Sequence, residues 1–214
     1  MATQPIRKLD DDILPGKRHP GRRMTEAQFE NWIDEDTRAE WVDGVVVMMS
    51  PANYDHSNFA AFLNFLLRYV VERKKLGVVQ GPEYTVRLGQ LRRRRVPDVV
   101  FVSKARMSQL RPTYIEGAPD LIMEVVSPDS NSRDWREKYF EYRDSRVREY
   151  WIISPMHQHV EAYTLKGTEY VQIPERRGKL TSKVVKDFWI KTDWLWMRPL
   201  PTMEFALRAL GAIK

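Results

Sequence analysis

Two acidic residues set in apolar, β-prone segments are the strongest candidates for chemistry in this chain. Glu124 lies within the apolar segment Leu121–Val126, and Asp98 follows Pro97 at the start of a second apolar segment, residues 98–102. A lone ionised carboxylate in an apolar interior is costly or takes up a proton, so Glu124 requires a basic side chain or a metal ion as its partner. If the two segments are neighbouring strands, both carboxylates converge at one place on a sheet.

The chemistry that such a pair of carboxylates supports is the binding of a hard divalent cation. Carboxylates from neighbouring strands hold Mg²⁺, or Mn²⁺, while water and a substrate phosphate fill the remaining coordination positions. Such an ion stabilises phosphoryl charge and lowers the pKa of an attacking water. Lys138, in a predicted helix after Glu124, could contact the same point and there position that water or neutralise a phosphate.

Each of these residues also has a purely structural interpretation. An aspartate after a proline, as at Asp98, is a common turn pair. Lys138 could pair with Asp134, four residues earlier, on an exposed helix face. A buried ion pair between Glu124 and Lys138 would satisfy both charges and often does little for stability. Spacing alone does not decide between a metal site and an ion pair.

Composition removes several classes of chemistry. The chain has 214 residues and no cysteine, which excludes disulfides, cysteine zinc sites and thiol catalysis and fits a reducing cytoplasm. No apolar run approaches the ~18 residues of a membrane span, so no membrane partner is expected. Phosphate-binding glycine loops, GxSxG and HExxH motifs are absent from the sequence. His157 and His159 flank a loop and are interpreted as surface residues.

The charge of the chain is compatible with a polyanionic partner. The formal net charge is +6, with a cluster of four consecutive arginines, Arg92, Arg93, Arg94 and Arg95. This run could contact a phosphate backbone, although a solvated hairpin edge is the interpretation that we favour. The sequence therefore allows nucleic acid, DNA first, as a partner without requiring it.

The elements that must position these residues follow from periodicity and turn signals. Residues 1–23 are polar and rich in proline and glycine, which predicts a flexible arm; residues 24–200 form one domain and residues 201–214 a C-terminal extension. Asp43-Gly44 predicts a hairpin. We predict helices over 26–33, 56–75, 132–143 and 203–213. We predict strands at 77–81, 83–88, 98–102, 120–126, 148–154, 159–165, 168–173 and 183–191. Helices that flank a mixed sheet in one α/β domain follow from this order.

Several segments also match the motifs of a known family, in the same order. They are EWVDGVVVMMSP with His56 after it, VPDVVFV, GAPDLIMEVVSPDS, EKYFEY and VREYWIISP. On these motifs the chain resembles the Uma-two family, once labelled a domain of unknown function and placed in the PD-(D/E)XK restriction-endonuclease-like superfamily. The resemblance covers residues 24 to about 200 and implies a restriction-endonuclease-like core, a central mixed sheet flanked by helices.

The resemblance also implies roles for individual residues. Asp98 matches the first metal-binding aspartate of the family and Glu124 the second acidic residue. The superfamily pattern places a lysine two residues after that acid, where this chain has Val126. In this family the lysine is carried instead by the following helix, where Lys138 stands.

Two further polar residues match recurring positions of the family. Glu40 and His56 are implied to line the site, and Glu40 is a candidate for a further metal ligand. Tyr142, on the Lys138 helix, is interpreted as packing beside that lysine. Related nucleases often dimerise to cut both strands, so the resemblance leaves a homodimer open.

The leading hypothesis is a Mg²⁺- or Mn²⁺-dependent nuclease that hydrolyses phosphodiester bonds with Asp98, Glu124 and Lys138. A second hypothesis is a nuclease-fold module that binds DNA or a protein partner without cutting; the basic charge and the absence of a lysine at position 126 favour it. A third is an interaction protein in which the Glu124–Lys138 pair is structural.

Overall fold

The computed structural model describes residues 18–34, 36–126 and 132–213, and only the backbone of residues 18–22 and 132–135. Most of the predicted N-terminal arm, residues 1–17, lies outside these ranges, as does the side chain of Asp134, the predicted partner of Lys138. The last six residues of the arm form a strand, β1, that pairs antiparallel with β3.

The elements follow the chain in this order: β1 (Arg18–Arg23), α1 (Glu26–Trp32), β2 (Ala39–Val42), β3 (Val45–Met48), α2 (Tyr54–Arg73), β4 (Gly77–Gln80), β5 (Thr85–Leu88), β6 (Arg93–Arg95), β7 (Val99–Ser103), β8 (Tyr114–Glu116), β9 (Leu121–Val125), α3 (Ser132–Asp144), β10 (Glu149–Ser154), β11 (His159–Lys166), β12 (Glu169–Gln172), β13 (Lys179–Thr181), β14 (Trp189–Lys191), α4 (Thr192–Trp196) and α5 (Met203–Ala209). Two short 3-10 turns cover Gly89–Leu91 and Lys104–Gln109.

In the described part of the chain, most strands belong to two six-stranded sheets. The first has the order β1-β3-β2-β6-β5-β8, and the second has the order β12-β11-β10-β9-β7-β4. The pairs β9–β10 and β5–β8 are parallel, whereas their neighbours pair antiparallel. The second sheet carries α2 on one face and α3 on the other. The prediction of an α/β fold with a mixed sheet flanked by helices is confirmed.

The second sheet is buried on both faces, which places Glu124 on a defined side. Along β9, Leu121, Met123 and Val125 belong to the core that contains α2. Ile122 lies in the other core, between the two sheets and α3, and alternation puts Glu124 on that same side. Because both faces of the sheet are covered, apolar residues follow one another along β9 on both sides of the strand. The Glu124 carboxylate interrupts this pattern on one face only.

Local signals fix the first hairpin and the first helix as predicted. Asp43 and Gly44, with φ of 51° and 85°, join β2 to β3, the conformation of a type I′ turn. Thr25 and Gln28 form a reciprocal capping box at the start of α1, which satisfies two amide donors that the helix leaves unpaired.

The C-terminal part differs from the prediction in several elements: β13 and α4 were not predicted, and one strand is shorter than predicted. The predicted strand 183–191 is a strand only over Trp189–Lys191, because the amides of Lys183 and Val184 donate to the buried Glu149 carboxylate at 2.6 and 2.9 Å. Beyond it, α5 buries Ala206 and Leu207 in the α2 core. No helix of the described residues is long and apolar enough to cross a membrane.

Candidate functional site

Asp98 and Glu124 lie together on one face of the second sheet. β7 pairs antiparallel with β9, with Val99 opposite Met123; continuing this register by one residue places Asp98 opposite Glu124. Residues that face each other across two antiparallel strands have their side chains on the same side of the sheet. Both carboxylates are nearly buried, with 6% of Asp98 and 8% of Glu124 exposed.

Glu124 has a basic partner and a hydroxyl partner. The Lys138 Nζ atom, from α3, lies 3.2 Å from each carboxylate oxygen of Glu124. The Tyr142 hydroxyl, one turn further along α3, donates to Glu124 Oε1 at 2.8 Å. Tyr142 is thus buried beside Lys138, as predicted, and in addition supplies a hydrogen bond that its position alone did not reveal.

The Lys138 ammonium only partly compensates the negative charge of Glu124 and of the carboxylates near it. Burial raises its pKa, the Lys138 ammonium lowers it, and the nearby Asp98 and Glu40 carboxylates raise it again, for a result of about 7 against the ordinary 4.5. A second cation at this point would relieve the repulsion among the three carboxylates.

Asp98 is held by two donors. Its Oδ2 atom accepts the Val125 amide at 2.7 Å, and its Oδ1 atom lies 2.8 Å from His56 Nε2. His56 is in the first turn of α2, where the Asn53 side chain caps the helix by accepting the His56 amide. The hydrogen bond to Asp98 raises the pKa of His56, against the effect of burial. Among the described residues, no partner lies at His56 Nδ1.

Glu40 enters the site from β2, on the other sheet. One oxygen accepts Arg95 Nη1 at 2.6 Å, the other accepts the Val96 amide at 3.2 Å, and Lys138 Nζ lies 3.3 Å away. Burial alone would raise the pKa of Glu40, but the charges of Lys138 and Arg95 together lower it to about 2. Lys138 is therefore held between the carboxylates of Glu40 and Glu124.

Arg95 and Glu141 complete this network; Arg95 was predicted from the sequence only as a candidate phosphate contact, and Glu141 was missed. Arg95, 1% exposed, donates from Nε and Nη2 to the two oxygens of Glu141, each at 2.8 Å. Glu141 is three residues after Lys138, on the same face of α3 as Lys138 and Tyr142. That i, i+3, i+4 spacing was a usable signal.

The interpretation of the arginine run as a solvated hairpin edge is wrong for Arg94 and Arg95, which are buried. The run forms β6, so its side chains alternate between two faces. Arg93 and Arg95 face α3 and both pair with Glu141. Arg94 faces α1, where it pairs with Glu26 and Glu30.

Three of the four arginines that were candidates for phosphate contact are therefore already paired with carboxylates. Arg93, Arg94 and Arg95 each pair with at least one glutamate. Arg92 is exposed, with its guanidinium 5.8 Å from the Trp41 ring centroid. Within the run, Arg92 is thus the residue whose position fits contact with a solvent-borne phosphate.

The donor set fits a divalent cation held by two carboxylates. No group of three or more acidic, histidine or cysteine side chains with metal-binding geometry occurs among the described residues. Mg²⁺ is commonly held by one or two carboxylates, with water and substrate phosphate as further ligands. Asp98 and Glu124, opposed on neighbouring strands, supply that smaller set, and Glu40 is engaged by Arg95 and Lys138 instead.

A cleft with a volume of about 460 Å³ opens beside Asp98 and His56. The exposed side of α2 forms one wall, and Arg38 and the Gly81-Pro82 segment form the other. Asp98 and His56 line this cleft, whereas Glu124 and Lys138 are not among its lining residues.

Comparison with known families identifies the family to which the chain belongs. The model of the family described as "Putative restriction endonuclease", Uma2, matches residues 26–193. The chain belongs to the Uma2 family. This confirms the family inferred from the motifs, and the matched residues include Glu40, His56, Asp98, Glu124 and Lys138.

Comparison with solved structures supports the Uma2 fold. The chain is similar to the crystal structure of "a putative nuclease belonging to DUF820" from Anabaena variabilis, with a TM-score of 0.68 and 17% sequence identity. The alignment covers 81% of this chain and 97% of that chain. The comparison with curated proteins found no match. The shared restriction-endonuclease-like fold therefore rests on the structural similarity, and the nuclease-like assignment on the family.

Proposed function

We propose that this protein is a divalent-metal-dependent nuclease that hydrolyses phosphodiester bonds of nucleic acid, with Asp98 and Glu124 as the metal ligands. The observation that carries the proposal is the placement of Asp98, directly before β7, and Glu124, on the neighbouring strand β9, with Lys138 at 3.2 Å from Glu124. A bound Mg²⁺ or Mn²⁺ supplies neutralisation of phosphoryl charge and a water of lowered pKa.

The other side chains position these groups. His56 and the Val125 amide fix the orientation of Asp98. Glu40 holds the Lys138 ammonium from the side opposite Glu124. From there Lys138 can donate to an attacking water or to a non-bridging phosphate oxygen, and its charge stabilises the anionic transition state. Hydrolysis forms the bond between that water oxygen and phosphorus and breaks one bridging P–O bond; the attacking water gives up a proton and the departing oxygen takes one up, so the products are a phosphate monoester and a hydroxyl group.

A cleavage assay with three isosteric variants tests this proposal. Asp98→Asn, Glu124→Gln and Lys138→Met should each lower the rate of cleavage of DNA or RNA, with Mg²⁺ or Mn²⁺, by at least about a hundredfold. Glu116→Gln is the matched control, because Glu116 pairs with Arg87 on the first sheet, away from the site. Wild-type rates in both Asp98→Asn and Glu124→Gln would contradict the assignment.

One observation favours a second candidate, a module that binds nucleic acid without cutting it. Each carboxylate oxygen of Asp98 and of Glu124 already has a protein partner, so the site is satisfied without a metal. This candidate predicts nucleic-acid binding that falls steeply with salt, is unchanged by chelator and is accompanied by no cleavage.

A further inference from the structure

The cleft beside Asp98 follows the exposed face of α2 away from the proposed site. His56, Ser57, Ala61, Asn64 and Arg68 line it from the helix. These residues are spaced by about one turn and span twelve positions, so the wall is about 18 Å long. The cleft is thus elongated, and one end of it reaches the group proposed to hold the metal.

Two arginines lie along this cleft. Arg68 is 42% exposed; its Nη2 atom donates to the Val79 carbonyl at 2.6 Å, and its Nη1 atom lies 3.8 Å from the exposed Glu72. Arg38, at the end near His56, is exposed and has Nη2 3.4 Å from the Pro82 carbonyl. An arginine has five N–H donors, so a guanidinium anchored on a carbonyl still has donors to offer a phosphate.

Small and apolar residues make up most of the lining of the cleft, and its charged side chains are few. Among the described residues that line it, Asp98 is the one carboxylate, while Arg38 and Arg68 are cationic. The charge of the walls is therefore complementary to a polyanion, and the single acid is the proposed metal ligand. A nucleic-acid strand satisfies both features.

An aromatic ring stands in the same wall. Phe65 is 44% exposed, and its ring stacks on Tyr69 with 6.4 Å between centroids and 26° between planes. A phenylalanine can make no hydrogen bond to a phosphate or a sugar, but its face can stack on a base. In a duplex, paired bases are enclosed within the helix, so this contact is available to an unpaired base.

We propose that the α2 cleft binds an unpaired segment of nucleic-acid strand, with a base stacked on Phe65 and phosphates contacted by Arg38 and Arg68. The inference rests on the proposed function, since the cleft leads to Asp98, and it names single-stranded nucleic acid as the substrate class. DNA and RNA share the chemistry that the cleft recognises, namely a base face and a phosphodiester.

Binding measurements with labelled oligonucleotides test this inference. Fluorescence anisotropy is measured in chelator with single-stranded DNA, single-stranded RNA and duplex DNA of about 12 nucleotides. Wild type should bind one or both single strands more tightly than the duplex. Phe65→Ala should weaken single-strand binding at least about fivefold, and Arg68→Ala should reduce the slope of log affinity against log salt by about one.

The chain offers matched controls for both substitutions. Phe205 is 55% exposed on α5, outside the cleft, so Phe205→Ala controls for loss of an exposed ring. Arg208 pairs with Glu204 four residues away, as Arg68 pairs with Glu72, so Arg208→Ala controls for loss of such an arginine. Both control variants should bind single strands as the wild type does.

The outcomes separate this inference from the proposed function. Equal or tighter binding of duplex, together with wild-type affinity in Phe65→Ala, would overturn the inference, even if Glu124-dependent cleavage is observed. Single-strand binding that is lost in Phe65→Ala supports the inference, even if no oligonucleotide is cleaved with Mg²⁺ or Mn²⁺; that second result would count against the nuclease. The ratio of affinities for the two single strands identifies the natural sugar.

Discussion

At the scale of the residue, the properties of the Glu124 carboxylate depend on the charged groups around it. Lys138 and Tyr142 contact its oxygens, while burial, together with the negative charges of Asp98 and Glu40, raises its pKa to about 7. An ion pair with Lys138 and a metal ligand are not exclusive roles for such a carboxylate, because the pair leaves net negative charge at the point where a cation would bind.

The raised pKa of Glu124 predicts a pH dependence of stability. Between about pH 4.5 and pH 7 the folded protein holds a proton on Glu124 that the unfolded chain has lost, so the free energy of unfolding falls as pH rises through that window. Glu124→Gln removes this titration. In chelator, we expect the variant to gain on the order of 2 kcal/mol relative to wild type between about pH 5 and pH 8.

Urea denaturation at the two pH values measures this difference. Glu116→Gln, at a half-exposed carboxylate on β8, is the control and should show little change relative to wild type. The raised pKa of His56 also contributes to the pH dependence of each of these proteins, so the comparison with wild type removes most of its contribution. A Glu124→Gln variant that loses stability relative to wild type as pH rises would refute the environment assigned to Glu124.

At the scale of the element, strand β9 and helix α3 bring residues from different parts of the chain to one point. Alternation along β9 puts Val126 on the same side as Ile122 and Glu124, and Val126 packs against the core between the sheets. The position where the superfamily has its lysine therefore faces the site, and Lys138 reaches the same carboxylate from α3.

Moving the lysine from position 138 to position 126 tests whether the two positions can serve the site equally. Lys138→Met should strongly lower the rate of cleavage. Adding Val126→Lys to this variant should raise its rate of cleavage at least about tenfold, because the ammonium returns to Glu124 from the strand. Val126→Met in the Lys138→Met background is the control for side-chain size. No recovery in the double variant, with the fold intact by circular dichroism, would show that the helix position is required.

Most elements could be predicted from the sequence because their signals are local. Asp43-Gly44 marked the hairpin, Thr25 and Gln28 marked α1, and apolar spacing marked α2 to within two residues at each end. The segment 183–188 was mispredicted because its amides serve Glu149, a residue distant in sequence. β6, β8 and β13 were missed because each is only three residues long.

The acids and the lysine of the candidate site could be predicted from the sequence, but the ion pairs that connect them to other residues could not. Asp98 and Glu124 stood out as charges in apolar segments, Lys138 as a basic residue in the predicted helix after Glu124, and the family motifs drew attention to Glu40 and His56. The arginine run was misinterpreted because charge alone indicates solvent. Its burial depends on Glu141 and Glu40, which become its neighbours only when the two sheets come together.

At the scale of the whole molecule, one buried ion network joins the two sheets through the site. Arg95, on β6, binds Glu40 of its own sheet and Glu141 of α3. Lys138 of α3 in turn bridges Glu40 to Glu124 of the second sheet. The geometry of the proposed catalytic groups therefore depends on how the two sheets are held together.

Arg95→Met should be strongly destabilising for this reason. The substitution removes one counter-charge from each of two buried carboxylates, Glu40 and Glu141, and we expect a loss of about 3–5 kcal/mol in the free energy of unfolding. Arg92→Met, in the same run but at an exposed position, should change it by less than about 0.5 kcal/mol. Equal effects of the two substitutions in urea denaturation would show that the network contributes little to holding the sheets together.

The most direct test of the central claim is a calorimetric titration of Mn²⁺ into wild type, Glu124→Gln and the control Glu116→Gln. We expect Mn²⁺ to bind at one site in wild type and in Glu116→Gln, and this binding to be lost in Glu124→Gln, because the last variant removes one of two carboxylate ligands. Mn²⁺ affinity that is equal in wild type and Glu124→Gln would contradict the assignment of Glu124 as a metal ligand.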